Sequence, residues 1–143
     1  MHFVTGGAFN GKRSWVTETY QLLNNNDYCW ISAYKDHPIP IDLYEHSSSL
    51  VILEGIEIWI QDLVKNDENT KERCNTMLLN WLSWEQDRNN QLIVIGSDIT
   101  KGIVPVSSID RIWRDRTGWF YQDIASRADK MDIIWYGMRQ QMK

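Results

Sequence analysis

Ten residues constrain the fold more than any other stretch of the chain. Thr5-Gly6-Gly7-Ala8-Phe9-Asn10-Gly11-Lys12-Arg13-Ser14 contains G-x-x-x-x-G-K, with Gly6, Gly11 and Lys12 in the required places. Glycines at those points let the backbone curl until its N–H groups converge on an anion. The start of a following helix adds a positive dipole end, and the Lys ammonium reaches the outer phosphates. The device needs a strand before it and a helix after it. Both are in place: His2 to Thr5 is a short apolar run, and Lys12 to Leu23 reads as a helix. The motif therefore predicts an α/β domain that binds a nucleotide phosphate through Gly6, Gly7, Ala8, Phe9, Asn10, Gly11, Lys12, Arg13 and Ser14. The competing reading is a glycine-rich turn without function.

One position departs from the motif. The residue after the Lys is normally Ser or Thr, whose hydroxyl coordinates Mg²⁺, and here it is Arg13. Ser14 is the nearest hydroxyl, but one step along a helix swings a side chain by about 100°. Three alternatives follow: Ser14 substitutes, the nucleotide and water hold Mg²⁺ alone, or Arg13 supplies the positive charge instead. The departure bears on fast phosphoryl transfer more than on binding. Glu54 ends the third apolar run, where P-loop proteins keep an acidic residue for the metal or its water. Equally, it could be a carboxylate beside the dipole of the next helix. Asp98 ends the following strand, on the edge where ligands gather in open α/β sheets. Lys12, Glu54 and Asp98 are thus the catalytic candidates, and Ser14 and Glu54 the metal candidates.

Short apolar runs alternate with longer helical patterns along the rest of the chain. Tyr28 to Tyr34, Leu50 to Leu53, Leu92 to Ile95 and Met131 to Tyr136 read as strands. Helices are expected over Ile56 to Val64, Thr70 to Arg88, and from Ser107 or Ser108 to Arg127. In the last of these Ile109, Ile112, Trp113, Phe120 and Ile124 share a face. Asp36 to Ser49, with two prolines and a Ser run, is loop. The alternation predicts a mostly parallel sheet of about five strands with helices on both faces. A chain of 143 residues, 43% hydrophobic with 8 Trp, suits one domain over 1–143 and argues against intrinsic disorder. The net charge of −4 argues against general nucleic-acid binding. No apolar run approaches the roughly 18–20 residues of a membrane span, and the first residues lack a secretory signal, so a cytoplasmic location is expected. Cys29 and Cys74 show no metal-ligand spacing and are expected to be free thiols.

Three blocks together resemble the bifunctional adenosylcobinamide kinase/adenosylcobinamide-phosphate guanylyltransferase family of cobalamin biosynthesis. They are Val4 to Ala8 with Gly11-Lys12, then Ile52-Leu53-Glu54-Gly55-Ile56, then Gly96 to Pro105 leading into Arg114-Asp115, Gly118, Gln122, Ala125 and Ala128-Asp129. The resemblance implies a RecA-like P-loop fold, a homo-oligomer, GTP or ATP as ligand with Mg²⁺, and adenosylcobinamide as the corrinoid substrate. It also implies two reactions: phosphorylation of the aminopropanol hydroxyl, then guanylyl transfer through a covalently modified His. Family members carry that His on a helix after the second strand, whereas Tyr34-Lys35-Asp36-His37-Pro38 follows the strand immediately here. His37 and His46 are candidates by proximity alone. Arg13 for Ser, Asp98 for Glu, Thr100 for Gly and Tyr121 for Asn are further departures.

These residues leave three readings open. The first is an enzyme retaining the kinase half, with Lys12 neutralising phosphate and the Gly102 segment shaping the pocket. The second is a catalytically degenerate module that holds GTP or a corrinoid without turnover. In the third the chain is a structural subunit, with Trp59, Trp81, Trp84, Trp113 and Trp119 at an interface or simply packed on helix faces.

Overall fold

The structure, a computed structural model, describes residues 1–66, 69–87 and 89–143. The elements run β1 (His2–Thr5), α1 (Lys12–Thr19), β2 (Cys29–Ser32), β3 (Leu50–Glu54), α2 (Ile56–Asn66), α3 (Thr70–Gln86), β4 (Gln91–Ile95), α4 (Ser108–Arg127), β5 (Lys130–Trp135) and β6 (Met138–Gln141). The strands form one sheet in the order β2-β3-β4-β1-β5-β6, parallel throughout except for β6. The fold is the expected α/β P-loop arrangement, with six strands in place of five.

Continuous apolar runs in β3 and β4 mark strands covered on both faces. The pleat sends Val4, Ile52, Ile93, Ile95 and Ile134 to the side of α1, where Val16 meets them. Their neighbours Phe3, Val51, Leu53, Leu92 and Val94 face the larger core built from α2, α3 and α4. Trp59, Trp81 and Trp84 are buried in that core. Two of their indole N–H groups also tie down the loop after β2: Trp59 donates to the His37 carbonyl (2.8 Å) and Trp81 to that of Pro40 (2.8 Å). On the α1 side a polar network joins β1, β5, β6 and the end of α1. His2 bridges the Tyr20 hydroxyl (2.6 Å) and Asp132 (2.9 Å), and Arg139 of β6 closes on Asp132 (2.8 Å).

Several element ends differ from expectation for identifiable reasons. Helix α1 stops at Thr19 because Gln21 turns left-handed (φ 51°), which folds Leu22 back into the core. Strand β2 stops at Ser32: a 3₁₀ turn over Ala33–Lys35 follows, and the His37 N–H closes on the Ser32 carbonyl (3.3 Å). Helix α3 is described to Gln86, and Arg88 lies outside the described residues. The expected face of α4 is buried at Phe120 and Ile124, but Ile109 and Ile112 are 41% and 49% exposed. Strand β6 reads Met-Arg-Gln-Gln, is exposed throughout, and exists through antiparallel pairing to β5. Its tight turn takes positive φ at both Tyr136 and Gly137, the geometry that matches strand twist in two-residue hairpins.

Candidate nucleotide site

The phosphate loop is held from three sides. At the end of β1, Gly6 has φ 142°, and a Cβ there would overlap the Ile134 carbonyl oxygen of neighbouring β5. From the β5–β6 turn, Gly137 donates its N–H to the Asn10 carbonyl (2.9 Å), and beyond β4 Asp98 donates its N–H to the Gly6 carbonyl (2.9 Å). Gly11 then takes the left-handed conformation that launches α1. The next residue, Lys12, is 9% exposed, and its ammonium donates to the carbonyls of Gly7 (2.7 Å) and Gly6 (3.2 Å). Burial lowers the Lys12 pKa, against the opposing pull of Glu57 and Glu54. Residues 8–13 line a cavity of about 520 Å³ together with Tyr34, Glu54, Gly55, Ile95 and Ser97. That volume lies within the range of small-molecule sites, about 300–1,000 Å³.

Glu54 faces this cavity from the C-terminal end of β3, and its Oε2 is already engaged. It accepts from Arg13 Nη1 (2.6 Å), Ser32 Oγ (2.7 Å) and Trp30 Nε1 (2.9 Å). The last two come from β2, where Ser32 pairs with Glu54 and Trp30 with Ile52, all on one face of the sheet. The Arg13 guanidinium also lies 4.5 Å from the centre of the Trp30 ring. Arg13 therefore meets the carboxylate that the sequence offered as a metal candidate.

The other candidates fall elsewhere. Ser14 is exposed and is not among the cavity's lining residues. Asp98 also lies outside the lining and closes a local turn, accepting from the Thr100 N–H (2.9 Å) and Oγ1 (2.6 Å). Burial raises its pKa, but the Thr100 bonds and Lys101 outweigh that and leave it below its ordinary value. The Gly102 segment is exposed and takes no part in the cavity wall. His37 accepts from the Ser32 N–H (3.1 Å) and lines a different groove, with Pro38, Ile58 and Trp59. His46 sits near the N-terminal end of β3, opposite Glu54, with its Nδ1 3.6 Å from Cys29 Sγ. Neither imidazole enters the nucleotide cavity. Burial raises the pKa of the Cys29 thiol.

Among the described residues, no group of three His, Cys, Asp or Glu side chains is placed to hold a metal ion. With Ser14 exposed and outside the cavity lining, and Glu54 Oε2 already bonded to three donors, the residues present do not fit a resident Mg²⁺.

One feature of the site had little signal in sequence. Glu57, in the first turn of α2, is buried and bonded to Tyr34, Tyr121 and the Ser97 N–H. The hint was a carboxylate on an arc otherwise formed by Ile56, Trp59, Ile60 and Leu63.

Residues 24–142 match the family model described as cobinamide kinase / cobinamide phosphate guanyltransferase. The chain belongs to that family. The matched stretch covers β2 to β6 and so includes Glu54, Glu57 and Tyr34. It begins after the Gly6–Ser14 loop. The family's work is cobalamin biosynthesis, by nucleotide-dependent modification of cobinamide. No curated protein matches the chain. Among the described residues, no helix is long and apolar enough to cross a membrane.

Proposed function

We propose that this family member binds GTP or ATP over the Gly6–Ser14 loop and phosphorylates the aminopropanol hydroxyl of adenosylcobinamide, the kinase half of the family's chemistry. The observation that carries this is Lys12: a buried ammonium, bonded to its own loop's carbonyls, on the wall of a nucleotide-sized cavity. The nucleotide's phosphates replace those carbonyls as its partners. Loop N–H groups and the start of α1 supply the rest of the cradle. Phosphoryl transfer draws mainly on positioning and electrostatics, so few reacting side chains are required. Magnesium, where used, travels with the nucleotide and its water. Homo-oligomeric assembly and a cytoplasmic setting belong to the same reading.

The guanylyl half lacks its nucleophile in this chain. A histidine must face the α-phosphorus within roughly 3–3.5 Å, and neither His37 nor His46 lines the cavity. Intact-mass measurement after incubation with GTP and Mg²⁺ should show no GMP adduct. An adduct that disappears in His37→Ala or His46→Ala would restore the bifunctional reading.

The Arg13–Glu54 contact favours a second reading, in which nucleotide is held without turnover. Single-turnover assays with GTP and adenosylcobinamide separate the two, since only the kinase forms GDP together with phosphorylated product. Both readings require Lys12. Lys12→Ala should weaken GTP binding by about 1.5–3 kcal/mol, the scale of hydrogen bonds to a charged group. Unchanged affinity in calorimetry would remove the phosphate loop from the argument.

A further inference from the structure

Glu57 is a buried carboxylate that the phosphate chemistry above leaves unused. It is 2% exposed, and an ionised group so placed must be matched by donors. The Ser97 N–H (2.9 Å) and the Tyr121 hydroxyl (3.0 Å) both donate to Oε2, and the Tyr34 hydroxyl donates to Oε1. Tyr121 is itself buried, and its hydroxyl also contacts the Ser97 carbonyl oxygen (3.1 Å). One carboxylate oxygen is thus fixed from the interior. The other connects to the cavity through Tyr34, which lines the wall together with Lys12.

The backbone leaves room for this arrangement at two points. A Cβ on Gly55 would lie 3.2 Å from the Tyr34 ring, and one on Gly96 would overlap the Tyr121 hydroxyl. Burial lowers the Lys12 pKa and the Glu57 charge opposes that fall, while Tyr34 carries Glu57's bond to the wall that Lys12 shares.

We propose that Tyr34 and Glu57 form the acceptor end of the site, Tyr34 receiving the alcohol to be phosphorylated and Glu57 taking its proton. This rests on the kinase reading above. The acceptor oxygen bonds to the γ-phosphorus as the bond from that phosphorus to the nucleoside diphosphate breaks. The acceptor's O–H proton passes to Tyr34 Oη while Tyr34's own proton passes to Glu57 Oε1. Two O–H bonds break, two form, and the carboxylate ends as a carboxylic acid. After the products leave, the proton returns to water through Tyr34. Burial and the bond to Glu57 raise the Tyr34 pKa, so the phenol stays neutral and acts as a conduit. Tyr34 is then a catalytic residue, and Glu57 a positioning residue that acts through it.

The test compares Tyr34→Phe and Glu57→Gln with the parent, using GTP and adenosylcobinamide. Calorimetry reads GTP affinity, and single-turnover and steady-state assays read kcat and the cobinamide KM. Both variants should lose about 100-fold in kcat, the usual contribution of a positioned acid–base group. GTP affinity should stay within about threefold of the parent, less than 1 kcal/mol. The cobinamide KM should change little in Glu57→Gln. Tyr34 is 56% exposed, so its variant reports even if Glu57→Gln fails to fold. Parent-like kcat in Tyr34→Phe would overturn the relay and leave the kinase reading intact. A matched loss of GTP affinity in both variants would also overturn it, making the pair a wall of the nucleotide site. A parent that binds GTP but transfers nothing would remove the kinase reading, and the relay with it.

Discussion

Arg13 carries the sharpest departure from the phosphate-loop motif, and the structure gives it a partner. Its guanidinium stacks on Trp30 and bonds to Glu54 at 2.6 Å. A pair with one half-exposed member contributes at most about 1 kcal/mol to stability, so its main effect is on the site. In Arg13→Ser, Glu54 Oε2 loses one of its three donors, and a hydroxyl appears beside Lys12 where the motif puts one. The parent should therefore bind GTP with nearly equal affinity in Mg²⁺ and in EDTA. Arg13→Ser should show at least a roughly tenfold preference for Mg²⁺, about 1.4 kcal/mol. Titrations in the two buffers measure this, and abolition of parent binding by EDTA would contradict it.

At the scale of elements, the loop depends on β1 lying tight against β5. Gly6→Ala would place a methyl group on the Ile134 carbonyl oxygen at a φ of 142°. A strained non-glycine conformation costs of order 1–3 kcal/mol, and the overlap with main chain adds to that, so a loss of at least about 2 kcal/mol is expected. Gly7→Ala is the matched control. Its Cβ would meet only the Asn10 side-chain amide at 2.9 Å, which can swing aside, and its loss should be clearly smaller. Urea denaturation of the two variants decides the comparison, and equal losses would show that β1 and β5 yield at this point. The elements also show what patterning reveals and what it hides. Strands β3 and β4 are readable as short continuous apolar runs, and helices α2 and α4 because apolar residues recur at helical spacing. Strand β6 is not readable: Met138, Arg139, Gln140 and Gln141 face solvent, and pairing with β5 alone makes them a strand. The early stop of β2 is hidden too, since Ala33 and Tyr34 continue its composition while the chain already turns.

For the molecule as a whole, sequence order alone assembled half of the site. The motif and the strand ends brought Lys12 and Glu54 to one cavity, because parallel strands deliver their C-terminal ends to one edge. Ser14 and Asp98 were expected there too but miss the cavity wall: Ser14 is exposed outside it, and Asp98 spends its carboxylate on a local turn. Glu57, Tyr34 and Tyr121 meet only through tertiary packing of α2, α4 and the turn after β2, which no local period encodes. The position of β1 has a further consequence, in the timing of synthesis. Its two partners are Ile93–Ile95 and Lys130–Ile133, so it waits through some ninety to one hundred and thirty residues of translation before it can pair. A topology so rich in distant pairings folds slowly. Phe3 and Val4 lack their strand partners on the nascent chain for that interval, when apolar segments are most open to aggregation. The Gly6–Ser14 loop is translated ahead of nearly everything that supports it, and its framing is complete only once Asp98, β5 and the β5–β6 turn are in place.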